Sequence, residues 1–228
     1  TEMPIPQTIA VDGPAASGKS TIAELLAQAL GYLYFDTGVM YRAVTLAALR
    51  QLQAVTDERV VTLLAETVHI DVREPSQDDG RKSDVLLDGV DITWEIRAPE
   101  VDANVSVVSA YPGVRVAMTE QQRRIGKRGK VVMVGRDIGT VVLPDADLKV
   151  YMDASVEERA RRRYDEVRQR GEAADYEAIL ASMRRRDEID STRKVAPLRP
   201  ADDAVIVSTD GLSIEQVLEK IQALVKAR

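Results

Sequence analysis

The sequence has no cysteine and one histidine, His69. Without cysteine, disulfides and thiolate-ligated metal sites are excluded, which fits a reducing compartment. His69 stands in a short apolar run with no partner constellation around it, so we read it as structural or solvent-facing rather than catalytic. The one tryptophan, Trp94, is read as packing rather than as a cofactor contact. No apolar run approaches the length of a membrane span. The opening residues, Thr1 to Gln7, carry neither a basic region nor an apolar core, so no signal peptide is expected. Excess positive charge is also lacking: 31 Lys and Arg face 37 Asp and Glu, for a net charge of −6. That argues against a nucleic-acid binder, although a local basic patch remains compatible with it. Repeats and long linkers are absent. The expectation is a cytoplasmic protein with no nucleic-acid and no membrane partner.

What is present is 228 residues with 45% apolar content, enough for one large domain or a core with a small insertion. The stretch Gly13-Pro14-Ala15-Ala16-Ser17-Gly18-Lys19-Ser20-Thr21 matches G-x-x-x-x-G-K-[ST], the phosphate-binding loop. The residues before it, Thr8 to Asp12, form a short apolar, β-branched run. Those after it place Ile22, Leu25, Leu26, Ala29 and Leu30 at helical spacing, with Gly31 as the stop. Gly13 and Gly18 let the backbone wrap a polyphosphate with its N–H groups turned inward. A helix starting near Lys19 adds unpaired N–H groups and the positive end of its dipole. Lys19 brings a point charge to the outer phosphates, and Ser20 a hydroxyl ligand for Mg²⁺. The motif predicts binding of a nucleoside triphosphate.

The remaining chain alternates strand and helix. Strands are expected over Tyr32–Phe35, Val131–Val134, Lys149–Met152 and Ala204–Val207, and the strand, helix, strand, helix opening of the chain is the rhythm of a parallel sheet with crossovers. Ligands gather at the carboxyl ends of such strands. Asp36, Thr37, Tyr41 and Arg42 follow one such end, and Gly135 to Thr140 another. Asp36 reads either as a cap for the helix at Gly38 or as a holder of metal-bound water. Residues 68–94, with Asp88-Gly89 between apolar runs, read as a small antiparallel sheet inserted into the core. Residues 97–126 read as helical with a break near Pro112, and the basic tail Arg123 to Lys130 as a solvated turn. Ser155 to Glu158 and Ser213 to Gln216 read as capping boxes opening helices.

Two sets of arginines accompany Lys19: Arg42, Arg115, Arg136 and Arg193 near strand ends or helices, and Arg159, Arg161, Arg162 and Arg163 on one helix. The second set alone would pass for a solvated face with pairs such as Glu158–Arg162. Beside a phosphate loop it reads as a mobile lid in which at least two arginines face phosphate, since phosphoryl transfer is catalysed mainly by positioning and cationic stabilisation. An acceptor that is itself an oxyanion needs no general base.

These motifs in order, with Asp36 to Arg42, Gly135 to Thr140, and Asp190 to Arg193 ahead of Val195 to Leu198, resemble bacterial-type cytidylate kinase over nearly the whole chain. The resemblance implies an α/β phosphate-loop nucleoside monophosphate kinase fold, with a five-stranded parallel sheet flanked by helices. Its core would comprise residues 5–36, 127–154 and 195–228, its monophosphate-binding region 37–126, and its lid 155–194. It implies a monomer performing Mg²⁺-dependent transfer from ATP to CMP or dCMP. Gly13 to Thr21 would bind ATP, with Ser20 on the metal. Thr37, Tyr41, Arg42 and Arg136 would surround the acceptor phosphate; Ser106, Arg115 and Asp137 would read the cytosine edge; Arg186, Asp190 and Arg193 would contact sugar and phosphate. Lys19, Arg136, Arg159, Arg162 and Arg163 would be catalytic. A carboxylate such as Asp137 suits cytosine's exocyclic amine, which donates. Other readings are a different small phosphate-loop kinase, or a nucleotide-dependent switch. The switch reading lacks an Asn-Lys-x-Asp guanine-reading segment.

Overall fold

The computed structural model describes residues 4–227. Residues 1–3 and 228, where the expected leaderless start and the end of the expected core fall, lie outside the described residues. Five parallel strands form the main sheet in the order β2-β6-β1-β7-β8: β2 is Leu33–Asp36, β6 Val131–Gly135, β1 Thr8–Asp12, β7 Leu148–Asp153 and β8 Val205–Ser208. All four strands expected after the first, and the first itself, are present within about a residue of their expected bounds.

The central strands are apolar on both faces because both faces are covered. On β1, Ile9 and Val11 point to one side, against Ile22 and Leu26 of α1 (Lys19–Leu30) and Ile221 of α8 (Ile214–Lys226). Ala10 points to the other side. On β6, Val132 and Val134 join the first layer while Val131 and Met133 join the second. That second layer holds Phe35 and Met40, the latter on α2 (Gly38–Leu52), together with residues of α3 (Glu58–Thr67), α4 (Pro99–Ala110) and α5 (Pro112–Gly126). The break expected near Pro112 is the α4–α5 junction, where Pro112 opens the new helix. Helices α6 (Val156–Gln169) and α7 (Tyr176–Thr192) share a small separate core of Ala160, Leu180 and Met183. Among the described residues no helix is long and apolar enough to cross a membrane.

The inserted sheet is present. Strands β3 (Ile70–Arg73), β4 (Asp84–Leu87) and β5 (Val90–Asp91) pair antiparallel. Asp88 and Gly89 both have positive φ, 49° and 83°, as a type I′ hairpin demands. The last strand is shorter than the apolar run suggested. At Thr93 the chain turns into a short 3₁₀ helix, Glu95–Arg97, because the Asp91 carboxylate takes up the Thr93 amide and hydroxyl. Arg81, 4% exposed, is ringed by Asp79, Asp84 and Asp91. Lys82 pairs with Glu24 of α1 at 2.7 Å, tying the insertion to the core. His69 is exposed. Trp94, half-exposed, hydrogen-bonds the Asp79 carboxylate at 2.8 Å.

Two expectations need correction. The basic tail from Arg123 to Lys130 is a solvated turn only in its second half, Lys127 to Lys130. Helix α5 continues to Gly126, and Arg123 donates to the Val141 and Val142 carbonyls at 2.6 and 2.9 Å. Arg124 donates to the Ile70 carbonyl and Arg128 to Asp71, because the start of β3 leaves these oxygens facing this helix end. At α6, Ser155 caps the Glu158 amide at 3.2 Å, but no reciprocal box forms. The Glu158 carboxylate is drawn off by Arg161 and Arg162. The box at Ser213 and Gln216 is complete.

Candidate active site

The carboxyl ends of the parallel strands converge on the loop that follows β1. Gly13 must be glycine there, since a Cβ would lie 2.3 Å from the Met152 carbonyl oxygen on β7. Gly18, left-handed at φ 86°, starts α1 with no side-chain cap, so the first N–H groups of that helix stay open to an anion. Pro14 turns its carbonyl to Lys19 Nζ at 3.2 Å. Ser17 is buried with its hydroxyl unpartnered. Ser20 and Thr21 are exposed.

Two of the four clustered arginines of α6 reach this loop. Arg159, buried, is forked by Asp187 of α7, with Nη1 3.0 Å from Oδ1, and also donates to the Ala15 carbonyl at 3.3 Å. Arg162 donates to the Ser17 carbonyl at 3.3 Å and to the Thr209 carbonyl at 3.0 Å. The structure does not bring Arg161 or Arg163 there. Both extend into solvent and pair with Glu158 and Glu166.

Beside the loop, Thr37 ties two strand ends together, its hydroxyl and amide both donating to the Val134 carbonyl at 3.1 Å. Asp36 Oδ1 accepts from the Gly38 amide at 2.9 Å, which realises the helix-cap reading. Arg136, beyond β6, stands 3.0 Å from Asp190 on α7, yet without an aligned hydrogen bond: Arg136 Nε and Asp190 Oδ2 are both unpartnered. Arg186 and Arg193 flank the same carboxylate at 3.8 Å. Arg193 Nη2 is unpartnered too. Asp137, buried, lies 3.5 Å from Arg115 Nη2, and the Arg115 guanidinium rests 5.1 Å above the Tyr41 ring. Two expected members stand apart. Arg42 is taken by Asp102 and the Ile96 carbonyl, and Ser106 is exposed on α4.

Cations crowd here. Burial together with the charges of Arg136 and Arg186 pushes the Lys19 ammonium down to about 7, against a smaller pull from Asp36. Burial also lowers Arg136, with Arg186 and Arg193 adding to it. Such a site, with several buried donors unpaired, is built to receive polyanions. Oxygen donors suit Mg²⁺; Ser20 offers one. Among the described residues no group of three acidic or histidine side chains gathers for a metal.

Sequence reasoning missed Asp12, Gln122 and Asp187. Asp12, the last residue of β1, accepts from the Ile138 and Gly139 amides at 2.9 and 2.8 Å. Burial raises its carboxyl to about 6 despite those two bonds. An acid closing an apolar strand just before the loop was the available signal. Gln122, a fully buried polar residue on α5, broke the apolar pattern of its helix without drawing notice.

The sequence model of the family described as cytidylate kinase matches residues 9–227. A cytidylate kinase of Roseiflexus castenholzii is 52% identical over 99% of this chain and 96% of its own length. The chain belongs to the cytidylate kinase family. Another family protein, from Herpetosiphon aurantiacus, is 50% identical over 98% of this chain and 96% of its own length. A third, from Bacillus subtilis, is 45% identical over 97% of each. Among solved structures, an uncharacterized protein from Eubacterium ventriosum superposes with a TM-score of 0.52 at 10% identity, covering 96% of this chain and 98% of its own, a likeness of fold. Membership of the family makes this chain an enzyme and a kinase.

Proposed function

We propose that this kinase transfers the γ-phosphoryl group of ATP to CMP and dCMP, giving ADP with CDP or dCDP. Family membership supports CMP as acceptor. The single observation that carries the two-anion mechanism is the gathering of Arg136, Arg186 and Arg193 around the one Asp190 carboxylate, with Arg136 Nε and Arg193 Nη2 unpartnered, beside a loop whose Lys19 ammonium burial and the Arg136 charge both depress.

The donor's phosphates lie in the loop Gly13 to Thr21, held by backbone amides and Lys19. Ser20 would hold Mg²⁺ together with phosphate oxygens, and the metal supplies charge neutralisation at the outer phosphates. The acceptor phosphate lies against Thr37, Arg136, Arg186 and Arg193, with Tyr41 and Arg42 at its margin and Asp190 orienting the arginines. Arg42 reaches it by exchanging Asp102 for phosphate. Asp137 accepts from the cytosine amine, Arg115 donates to O2 or N3, and Ser106 closes over the base. Uracil would set an oxygen against the Asp137 carboxylate, leaving polar groups unpaired. Arg159 and Arg162, already on the loop, stabilise charge on the phosphoryl group in transfer; Arg163 joins when α6 and α7 close. Closure also excludes water and prevents hydrolysis of the donor. The attacking group is already an oxyanion, so Lys19, Arg136 and the lid arginines act by position and charge. The proposal includes a monomer working in the cytoplasm, in pyrimidine nucleotide metabolism, without nucleic-acid or membrane partners.

The test is ADP release from ATP·Mg²⁺ with CMP, dCMP, UMP, AMP and shikimate in parallel. Turnover confined to CMP and dCMP is expected. Turnover with another acceptor alone would overturn the base-reading assignment while keeping a kinase.

A further inference from the structure

Just after Arg136 and Asp137 the chain winds into a single π-helical turn, Ile138–Val142. Such turns are rare and recur at functional sites. The Asp137 carbonyl accepts from the Val141 and Val142 amides at 2.9 and 3.1 Å, and the Ile138 carbonyl from the Leu143 amide at 2.7 Å. The leading amides and trailing carbonyls of so short a turn must be met from outside it. Asp12 of β1 takes the leading amides, Ile138 and Gly139. Arg123 of α5 takes the trailing carbonyls, with Nε donating to Val142 at 2.9 Å and Nη2 to Val141 at 2.6 Å. An acid at the amide end and a cation at the carbonyl end also suit the dipole of the turn. Val142 is 1% exposed, so carbonyls left unpaired here are costly.

Helix α5 thus meets this segment at both of its ends. Arg123 grips the far end through two hydrogen bonds, while Arg115, about two turns earlier on the helix, faces Asp137 at the near end with Nη2 at 3.5 Å. The near contact is longer than a good charge-assisted hydrogen bond and does not hold the two elements together by itself. We propose that Arg123 is a positioning residue for recognition of the acceptor base: by fixing the π turn against α5, it sets Asp137 opposite Arg115. The inference rests on the reading above, in which that pair meets cytosine. One edge of a guanidinium spans two successive carbonyls, which neither an ammonium nor a carboxamide does. With that grip loosened, Arg115 and Asp137 are both still present but no longer held at one separation. Rejection of uracil depends on that separation, since a pair free to shift can relieve the clash of oxygen with carboxylate.

The test compares Arg123→Lys, which keeps the charge, with Arg123→Gln, which keeps one amide donor; thermal melts establish that both fold. Each should lower kcat/KM for CMP about tenfold, mostly through KM, the order expected for one lost buried hydrogen bond. The loss for UMP should be smaller, so that the preference for CMP over UMP shrinks, while the KM for ATP stays within about twofold. In an Asp137→Ala background the same Arg123 changes should leave the preference where Asp137→Ala alone puts it, because the group being positioned is gone. Equal losses for CMP and UMP, a parallel rise in the KM for ATP, or a further fall in preference in the Asp137→Ala background would each overturn the proposal and leave Arg123 a support of the fold. Should the unmodified enzyme show no preference for CMP over UMP, the base-reading assignment itself falls. A preference that survives in both Arg123 variants overturns the role of Arg123 alone.

Discussion

Asp12 Oδ2 accepts a hydrogen bond from the Gly139 amide at 2.8 Å, linking the strand that feeds the phosphate loop to the turn after Arg136 and Asp137. The Ile138 amide bonds the other oxygen at 2.9 Å. The residue entering the phosphate loop therefore also sets the segment that the proposed function places against the acceptor. The carboxyl is raised from 3.8 to about 6, chiefly by burial. A raised folded pKa means that the stabilisation is present below the unfolded value and is lost as pH rises through the folded one. Against Asp12→Asn, the parent protein should therefore lose about 2 kcal/mol of stability between pH 4 and pH 6.5. Urea midpoints measured for both proteins across that range check it. Parallel pH dependences would show that Asp12 keeps an ordinary pKa.

Lys19 makes a second prediction with the opposite logic. In the free protein its ammonium titrates near 7, lowered by burial and then by Arg136 and Arg186. A bound polyphosphate favours the charged form and raises that value, so binding takes up a proton. ATP affinity should be highest below pH 7 and fall as pH rises above it. Calorimetry in two buffers of different ionisation enthalpy should register the uptake near pH 8. The uptake should vanish in Lys19→Met, and its persistence there would assign the proton to another group.

Asp137 is buried with Arg115 Nη2 at 3.5 Å, an arrangement suited to hydrogen bonding with a base. Asp137→Ala should reduce kcat/KM for CMP by roughly two orders of magnitude while leaving ATP binding within about twofold, as expected for a lost charged hydrogen bond in a site built around it. Steady-state kinetics with a nucleotide-binding titration separates the two. Equal losses would mean that Asp137 supports the fold of the loop and not the base.

The architecture was legible because its signals are local. Apolar β-branched runs at Ile9 to Val11 and Val131 to Val134 are strands buried on both faces, and Asp88-Gly89 permits few conformations other than a tight hairpin. The phosphate loop was legible for the same reason, its geometry being demanded by Gly13 and Gly18. Partner choice among charges was not legible. Arg123, Arg124 and Arg128 look solvated in sequence, yet they find carbonyls and Asp71 contributed by segments 18 to 57 residues away. Arg159 and Arg163 lie one turn apart, and only the position of Asp187 on a separate helix determines that one turns inward. Asp12 and Gln122 escaped because a single buried polar residue reads as noise until the groups opposite it are known.

Gly13 offers a test of the loop's fit. A methyl group there would meet the Met152 carbonyl at 2.3 Å, backbone against backbone, with no flexible side chain to yield. Gly13→Ala should destabilise the protein by about 2 kcal/mol or more, the scale of overpacking in a rigid site. In a chain of this size that corresponds to roughly 5 °C in Tm or more. The shift in Tm that ATP gives the parent protein should be lost as well. Thermal melts with and without ATP decide it. An unchanged melt and a retained ATP shift would mean that β7 moves freely away from the loop.

The α6 arginines separate by what they touch. Arg159 is 4% exposed and spans Asp187 and the Ala15 carbonyl, and Arg162 joins the Ser17 carbonyl to Thr209. Arg163 is half-exposed beside Glu166, an arrangement worth little in water. Arg159→Ala and Arg162→Ala should each lower kcat by about 10²-fold or more, in keeping with removal of a well-placed cation from phosphoryl transfer. Arg163→Ala should lower it by no more than about threefold if lid closure recruits Arg163 only at the margin of the charge in transfer. Single-turnover rates at saturating ATP and CMP isolate the chemical step, and melts report the cost of leaving Asp187 unpaired. A loss at Arg163 equal to that at Arg159 would show that closure turns α6 far enough to bring the outer arginine onto the phosphoryl group, making the inner pair supports of the loop.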